Sequence, residues 1–543
     1  MIENIKLSTN IRQWVDISTD CKVQIWISGY LFIKLPELSH KINNTLLDSD
    51  ADIEDLSDIF SNIKGHFSIV IQFQDILFAL VDRIRSIPLY YSTNISNCNI
   101  VISDTPSTLL SYDSVFAKNI ESSMEIAMSG YTIGNKTLYK GIYQLNAGEC
   151  LIVNGASFTK KSYYNYLPIG NKLIDRKTLS SELLNITINV MKDVIDSCNN
   201  RQIVVPLSAG KDSRLIVSAL RNLNYKNVKC FSYGKKNSSD MIIGKKLAER
   251  MNYEWMGVSS TDKKHKNIFN SSEFKQYKNN FETLSSAPFY QDFYAVSELK
   301  NSGWIDDDAI FINGNTGDFL SGGHITKKLL DGNIKDLYNE FLEKHYNEWK
   351  FLRNFKNDSV VVDNLKSLFS ERVDRNICEI PIYSMYEFYE WIGRQSKHIT
   401  LMQQCYNFFG HEWRMPLWDN RLMDFWEKVP VDLKYKQKLY KDVFIKENWA
   451  NVWNDIDINP NNNKSPVMFL RLLFKFLFLF LGKDRWHTFD DKYFKYFLNP
   501  TNDYFMLGYL QWLLDTRGSR DARSWRIELY LNSHNINLNN LNQ

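Results

Sequence analysis

Apolar and polar positions alternate in two different rhythms along this chain. In the first 165 residues the apolar runs are short and end in polar turns: KVQIWISGYLFI (22–33), HFSIVIQF (66–73), ILFALV (76–81), IVIS (100–103) and ECLIVNG (149–155). Short runs rich in β-branched and aromatic residues predict strands. Gln74-Asp75 between the second and third runs predicts a hairpin. This region is expected to form an α+β sandwich.

The rhythm changes after a linker at 167–181. Leu184, Ile188, Met191 and Ile195 follow at steps of four, three and four, which predicts a helix starting near Ser180-Ser181-Glu182. Ile203, Val204 and Val205 read as a buried strand, and Leu215, Ile216, Ala219, Leu220 and Leu223 as the next helix. A strand (228–234), a helix (238–252) and a further strand (253–259) complete βαβαβ. That order predicts a parallel sheet with helices on both faces and a ligand at the carboxyl ends of the strands. INPNNNKSP (458–466) is a polar linker before the apolar run VMFLRLLFKFLFLFLG (467–482), which carries Arg471 and Lys475 on one helical face. The run is shorter than the roughly 20 residues a spanning helix needs. A core helix, an interfacial helix with snorkelling cations and a helix for a partner's groove all fit it. Three units are expected: 1–165, 175–455 and 456–543.

Composition narrows the class. Of 543 residues, 44% are hydrophobic and 23% charged, and the formal net charge of +3 gives no electrostatic case for nucleic acid. The seven cysteines are scattered and form no C-x-x-C, so reduced thiols without a zinc site are expected. MIENIKLSTN has no secretory pattern, which predicts a cytoplasmic protein.

The chemistry concentrates in Leu207-Ser208-Ala209-Gly210-Lys211-Asp212-Ser213. A strand, a small-residue loop and a helix start aim backbone N–H groups at a phosphate. Ser208 and Ser213 add hydroxyl donors, and Asp212 makes sense as a ligand for Mg²⁺. The loop lacks the Walker A pattern. It resembles the SGGxDS loop of the PP-loop ATP pyrophosphatases, with Ala209 at the second glycine. Ser232 lies at the next strand end. DAIFINGNTGDFLSGGH (308–324) runs from a strand into Asn313, Gly314, Asp318 and Gly322-Gly323. Asp212 and Asp318, at two strand ends, are the expected Mg²⁺ ligands beside ATP.

Three further segments carry a family resemblance. Gly65-His66-Phe67-Ser68 with Val81-Asp82-Arg83 through Pro88-Leu89-Tyr90-Tyr91 is similar to the signature of class II glutamine amidotransferase domains. Gly130-Tyr131-Thr132-Ile133-Gly134 through Gly141-Ile142 and Gly148, and Gly410-His411-Glu412-Trp413-Arg414-Met415-Pro416, look like asparagine synthetase segments. From about residue 60 to 445 the chain resembles the asparagine synthetase family. The resemblance implies an Ntn-type sandwich before an adenine nucleotide alpha hydrolase-like domain. It implies an ATP-dependent carbon–nitrogen ligase: a small-molecule carboxylate becomes an acyl-adenylate, and ammonia or an amine then displaces AMP. By the same resemblance Leu207, Ser208, Ala209, Gly210, Asp212, Ser213, Ser232, Asn313 and Gly314 hold ATP. Lys438 or Lys436 stabilises the leaving group, with Lys441 at the arginine of the pattern K-x-x-L-R, and Asp318 acts in catalysis.

The departures are specific. The family's nucleophile is an N-terminal cysteine, whereas residue 2 is Ile2 and the first cysteine is Cys21. Glutaminase activity is therefore expected to be absent unless processing exposes Cys21, and a separate ammonia source becomes a candidate partner. Asn315 stands at the family's acid–base glutamate, Thr316 at a glycine and Phe319 at the second acid. Glu282 is the substitute base considered. Glu412 and Arg414 are expected to pair as an architectural contact. A divergent amidating enzyme of surface polysaccharide or secondary metabolism, in peripheral contact with the inner membrane face through 467–482, is the second reading. A catalytically silent scaffold is the third.

Overall fold

A computed structural model describes residues 5–47, 55–93, 100–111, 116–155, 157–460, 466–478, 482–498 and 506–542. Cys98 and residues 479–481 of the apolar run lie outside them.

Two sheets fill the N-terminal part. Ser157–Ser162, Glu149–Asn154, Ile76–Val81, Gly65–Phe73, Val23–Leu31 and Val15–Asp16 form an antiparallel six-stranded sheet in that spatial order. Ile5–Lys6, Val101–Ser103, Tyr90–Ser92 and Ile142–Gln144 form the second. Alternation along the strands explains the layering, because successive side chains point to opposite faces. Phe67, Ile69, Ile71, Phe78 and Leu80 meet Leu38, Ile42, Leu56 and Phe60 of the helices Leu35–Leu47 and Asp55–Ser61. Val70, Leu77, Ala79, Val81, Leu151 and Val153 turn the other way and meet Leu89 together with Tyr91 and Ile102 of the second sheet. The result is the expected sandwich, with both faces of its larger sheet buried.

The second sheet-bearing region is parallel. Its five strands run Glu254–Ser259, Val228–Gly234, Ile203–Pro206, Ile310–Ile312, Glu412–Arg414. Chain order reverses between Ile203–Pro206 and Ile310–Ile312, and that switch point is where such sheets open a crevice. Glu412–Arg414 is a strand as well as an ion pair: Arg414 Nη2 lies 2.9 Å from Glu412 Oε2, and Arg201 reaches the same carboxylate at 2.6 Å.

Two expectations need correction. The helix placed near Ser180 runs Arg176–Ser197, because Asp175 accepts the N–H groups of Lys177 and Thr178 and caps it earlier. Its buried face is Leu179, Leu183, Thr187, Val190, Met191 and Val194, while Leu184, Ile188 and Ile195 sit at the edge. The C-terminal stretch also divides. Residues 506–542 pack on the body: Trp349 donates its indole N–H to Ser524 O at 3.1 Å, and Ile527 and Leu531 are fully buried. The helix Pro466–Leu477 is not a core helix; it is exposed along its length, tied to Lys483–Tyr493 through Arg471 and Asp490. No described helix is long and apolar enough to cross a membrane.

Candidate active site

A cavity of about 470 Å³ opens at the carboxyl ends of Ile203–Pro206 and Ile310–Ile312. The loop after the first strand is fixed by its own small side chains. Ser213 Oγ accepts the Ser208 N–H at 3.1 Å, Ser208 Oγ accepts the Gly210 N–H at 3.2 Å, and Asp240 accepts the Ala209 N–H at 2.8 Å. The helix Asp212–Asn222 then begins at the cavity wall, with first-turn N–H groups that have no partner inside the helix. Gly314 lets the second loop approach: a Cβ there would stand 2.6 Å from the Asp212 carbonyl carbon.

The Asp212 carboxylate meets the Asp318 backbone across the switch point. Asp212 Oδ2 accepts the Asp318 N–H at 2.9 Å, and Asp212 Oδ1 accepts the Tyr440 hydroxyl at 3.1 Å. Burial, and then the charge of Asp318, push the Asp212 carboxyl up to about 7. Asp318 in turn lies 3.2 Å from His324 Nε2, and His324 Nδ1 lies 2.5 Å from Glu390. Burial opposes ionisation of Asp318, but His324 outweighs it and holds the carboxyl below its ordinary value. Burial likewise opposes charge on His324, but Glu390 and Asp318 raise it to about 9.

Most of the expected nucleotide-binding residues come together here. Leu207, Ser208, Gly210, Asp212, Ser213, Ser232, Asn313 and Gly314 line the cavity. Ala209 is buried behind it, contributing its N–H to Asp240. The Ser232 hydroxyl is engaged, donating to Leu207 O at 2.6 Å and accepting from the Trp255 indole at 3.0 Å. Asn315 lines the wall 3.4 Å from Met402 Sδ.

The candidate lysines lie away from the cavity. Lys438 and Lys436 are both exposed and off the wall; Gln437 lines the cavity instead and donates to Ser321 Oγ at 2.8 Å. The pattern K-x-x-L-R aligned on Lys441 already put the lysine position at 437, so register was the missed signal. Lys211 is the lysine on the wall, and burial holds its ammonium below the ordinary value. Glu282 is elsewhere: it accepts the N–H groups of Thr283 and Leu284 at 2.8 Å and the Tyr530 hydroxyl at 2.8 Å. It is no base for this cavity.

Sequence reasoning also missed a strap. The buried Arg214 donates to Val452 O, Ile456 O and Asp457 O at 2.7–2.8 Å, and Asn459 N–H donates to Ala209 O at 3.0 Å. Residues 452–459 are thereby held against the loop, and Asn459 joins the cavity wall.

The donor set suits a hard cation. The Asp212 and Asp318 side chains line one cavity beside a small-residue loop, and beyond burial the charge of Asp318 is what a divalent ion would relieve at Asp212. Among the described residues no group of three or more His, Cys, Asp or Glu forms an all-protein metal cage. An ion here would complete its shell with phosphate oxygens and water, as Mg²⁺ commonly does.

Residues 199–446, just under half of the chain, match the family model for asparagine synthase. The match leaves the N-terminal sandwich outside it. No curated protein matches the chain. Among solved structures it is similar to an NH3-dependent NAD synthetase from Campylobacter jejuni, at 12% identity over 38% of this chain and 100% of that one (TM-score 0.21). It is also similar to an NMN synthetase from Francisella tularensis, at 16% identity over 44% of this chain and 94% of that one (TM-score 0.18). A glutamine phosphoribosylpyrophosphate amidotransferase from B. subtilis aligns at 9% identity over 56% of this chain and 59% of that one (TM-score 0.18).

Proposed function

We propose that this chain, with its asparagine synthase domain at 199–446, is an ATP-dependent amide ligase that releases AMP and pyrophosphate. The observation that carries the reading is the pair Asp212 and Asp318 facing one cavity beside a small-residue loop at the switch point. The loop N–H groups, Ser208, Ser213 and Lys211 hold the phosphates. Asp212 and Asp318 would hold Mg²⁺, which supplies charge neutralisation on the phosphate oxygens. A substrate carboxylate oxygen attacks the α-phosphorus, the bond to the pyrophosphate oxygen breaks, and an acyl-adenylate forms. The nitrogen of ammonia or an amine then attacks the acyl carbon, loses a proton, and AMP leaves with the C–O electrons. Positioning of the two reactants supplies much of the acceleration. The N-terminal sandwich serves as a scaffold without glutaminase chemistry, and a separate source provides ammonia.

The test is product analysis with purified protein. ATP labelled at the α-phosphate is incubated with aspartate, then with a panel of uronic and amino acids, with ammonia or glutamine as nitrogen donor. The expected products are AMP and pyrophosphate, with ammonia and not with glutamine. ADP as the nucleotide product, or no carboxylate-dependent turnover across the panel with ammonia present, would sink the reading.

The exposed helix supports a place of work at the inner face of the membrane for a cytoplasmic enzyme. Phe469, Leu470, Leu472, Leu473, Phe476 and Leu477 are each at least 50% exposed. Lys475, Lys483, Arg485 and Lys492 are exposed nearby. Apolar residues flanked by cations bind anionic bilayers. The full chain is expected to float with vesicles containing phosphatidylglycerol, and Phe469→Gln with Leu473→Gln to reduce the bound fraction about tenfold or more. Equal flotation of both proteins would remove the membrane contact from the reading.

A further inference from the structure

The amide-forming step leaves one proton to place. As the nitrogen attacks the acyl carbon it becomes strongly acidic, and a group beside it must take that proton. Among the described residues six titratable side chains line the first cavity: Lys211, Asp212, Tyr233, Asp240, Asp292 and Asp318. Asp212 and Asp318 are assigned to the cation, and Lys211 to the phosphates. Asp240 accepts the Ala209 N–H at 2.8 Å and shapes the loop. His324 faces elsewhere. It lines a second cavity, of about 360 Å³, with Lys344, Arg394, Arg520, Arg523 and Arg526, and the Asp318–His324 contact walls that cavity off from the first. Asp292 is the carboxylate that remains.

Asp292 directly precedes the helix Phe293–Asn301, a position where an aspartate ordinarily caps the first turn. Here it makes no cap bond. It stands on the cavity wall instead, only 1% exposed. Tyr233 donates its hydroxyl to Asp292 Oδ1 at 2.6 Å, and Tyr406 donates to Oδ2 at 2.6 Å. Both donors are themselves held. Gln291 donates to the Tyr233 hydroxyl at 2.8 Å, and the Tyr406 ring stacks on Phe311 with centroids 4.4 Å apart. The orientation of the carboxylate is thereby fixed. Each oxygen spends one lone pair on a tyrosine and keeps another for a substrate proton. Among the described residues no cation pairs with Asp292: burial raises its carboxyl above the ordinary value, and only the two hydroxyls oppose that. A structural carboxylate this deeply buried is normally paired. One left without a cation, and inclined by burial to take up a proton, suits general-base work near neutrality.

We infer that Asp292 is the catalytic base of amide formation: the C–N bond forms, the nitrogen's proton passes to an Asp292 carboxylate oxygen, and AMP leaves with the C–O electron pair. The proton returns to water when the products leave. Tyr233 and Tyr406 are positioning residues for that carboxylate. The inference rests on reading this cavity as the place where the acyl-adenylate forms. It separates the two half-reactions: Asp212 and Asp318 serve the first, and Asp292 the second.

The half-reactions are measured apart, on the full chain. Exchange of labelled pyrophosphate into ATP reports the adenylate, with aspartate and with each acid of the panel above. Amide is measured separately, with ammonium chloride as nitrogen donor. Asp292→Asn is expected to keep exchange within about threefold of wild type and to lose amide formation about 10²-fold, with partial recovery in Asp292→Glu. Retained exchange also reports an intact fold. Tyr233→Phe, which leaves the carboxylate in place, is expected to lose about tenfold, again in amide formation alone. Retained exchange with a loss of amide formation under tenfold in Asp292→Asn overturns the inference. If Asp292→Asn loses both half-reactions, Tyr233→Phe decides: a loss confined to amide formation supports the inference, and any other result overturns it. If the wild type shows no acid-dependent exchange, the adenylation reading itself falls and takes this inference with it.

Discussion

An Asp212→Asn enzyme forms pyrophosphate about 10³-fold more slowly than the wild type under saturating ATP. The side chains have nearly the same shape: the amide oxygen can still accept the Asp318 N–H, and the amide NH2 can donate to the Tyr440 hydroxyl oxygen. What disappears is the negative charge. If that charge holds a cation against the phosphates, its loss removes several kcal/mol of transition-state stabilisation. It removes little structural stability, because the carboxylate is enclosed beside a like charge and is itself costly. The measurement is AMP and pyrophosphate release with the melting temperature recorded alongside. A loss of activity at an unchanged or higher melting temperature is the expected pair of results. Activity within tenfold of wild type would mean that Asp212 holds no catalytic ion.

The largest expected effect on stability lies behind the Gly322-Gly323 turn. Lys434 Nζ sits 2.7 Å from Glu387 Oε2 and 3.3 Å from the Tyr166 hydroxyl, and the Lys434 and Glu387 side chains are fully buried. Burial pushes the carboxyl up and the ammonium down, against their mutual attraction. Removing one partner strands the other. Lys434→Met or Glu387→Leu alone is expected to cost about 3–5 kcal/mol, whereas the double variant returns near wild type. The readout is the urea midpoint of each single and of the double. Additive losses in the double would show that the residues matter for separate reasons. The pair also bears on chemistry: a Cβ at Gly322 would stand 2.6 Å from Lys434 O, so Lys434 backs the Gly322-Gly323 turn that follows Asp318.

Much of this architecture could be read before any coordinates. The apolar runs HFSIVIQF and ILFALV announced a hairpin in a sandwich; that both faces of its sheet are buried appears only with the helices and the second sheet packed on it. Ile203–Val205 followed by small residues announced a strand and the tight loop that lines the first cavity. What escaped shares one cause: it depends on partners distant in the chain. Glu412–Arg414 becomes a strand only because Ile310–Ile312 offers an edge. The helix at Arg176 starts early because one aspartate caps it, and its buried face is chosen by the elements packed on it. Gln437 and Lys438 are adjacent in sequence, and only the turn at Lys436 and Gln437, with φ of 58° and 59°, decides which enters the cavity. Arg214 reads as an ordinary helix residue until its guanidinium meets carbonyls some 240 positions later. The second cavity draws on residues from 324 to 526, a span no local motif can announce.

The helix Ala522–Ser533 has a consequence for how such proteins diversify. The wall of the first cavity is supplied wholly by residues 206–459, whereas three of the five fixed cations of the second arrive from the last 24 residues of the chain. The final segment thus contributes to the second cavity alone. Substitutions in the final segment therefore change the charge of the second cavity without altering any residue that lines the first.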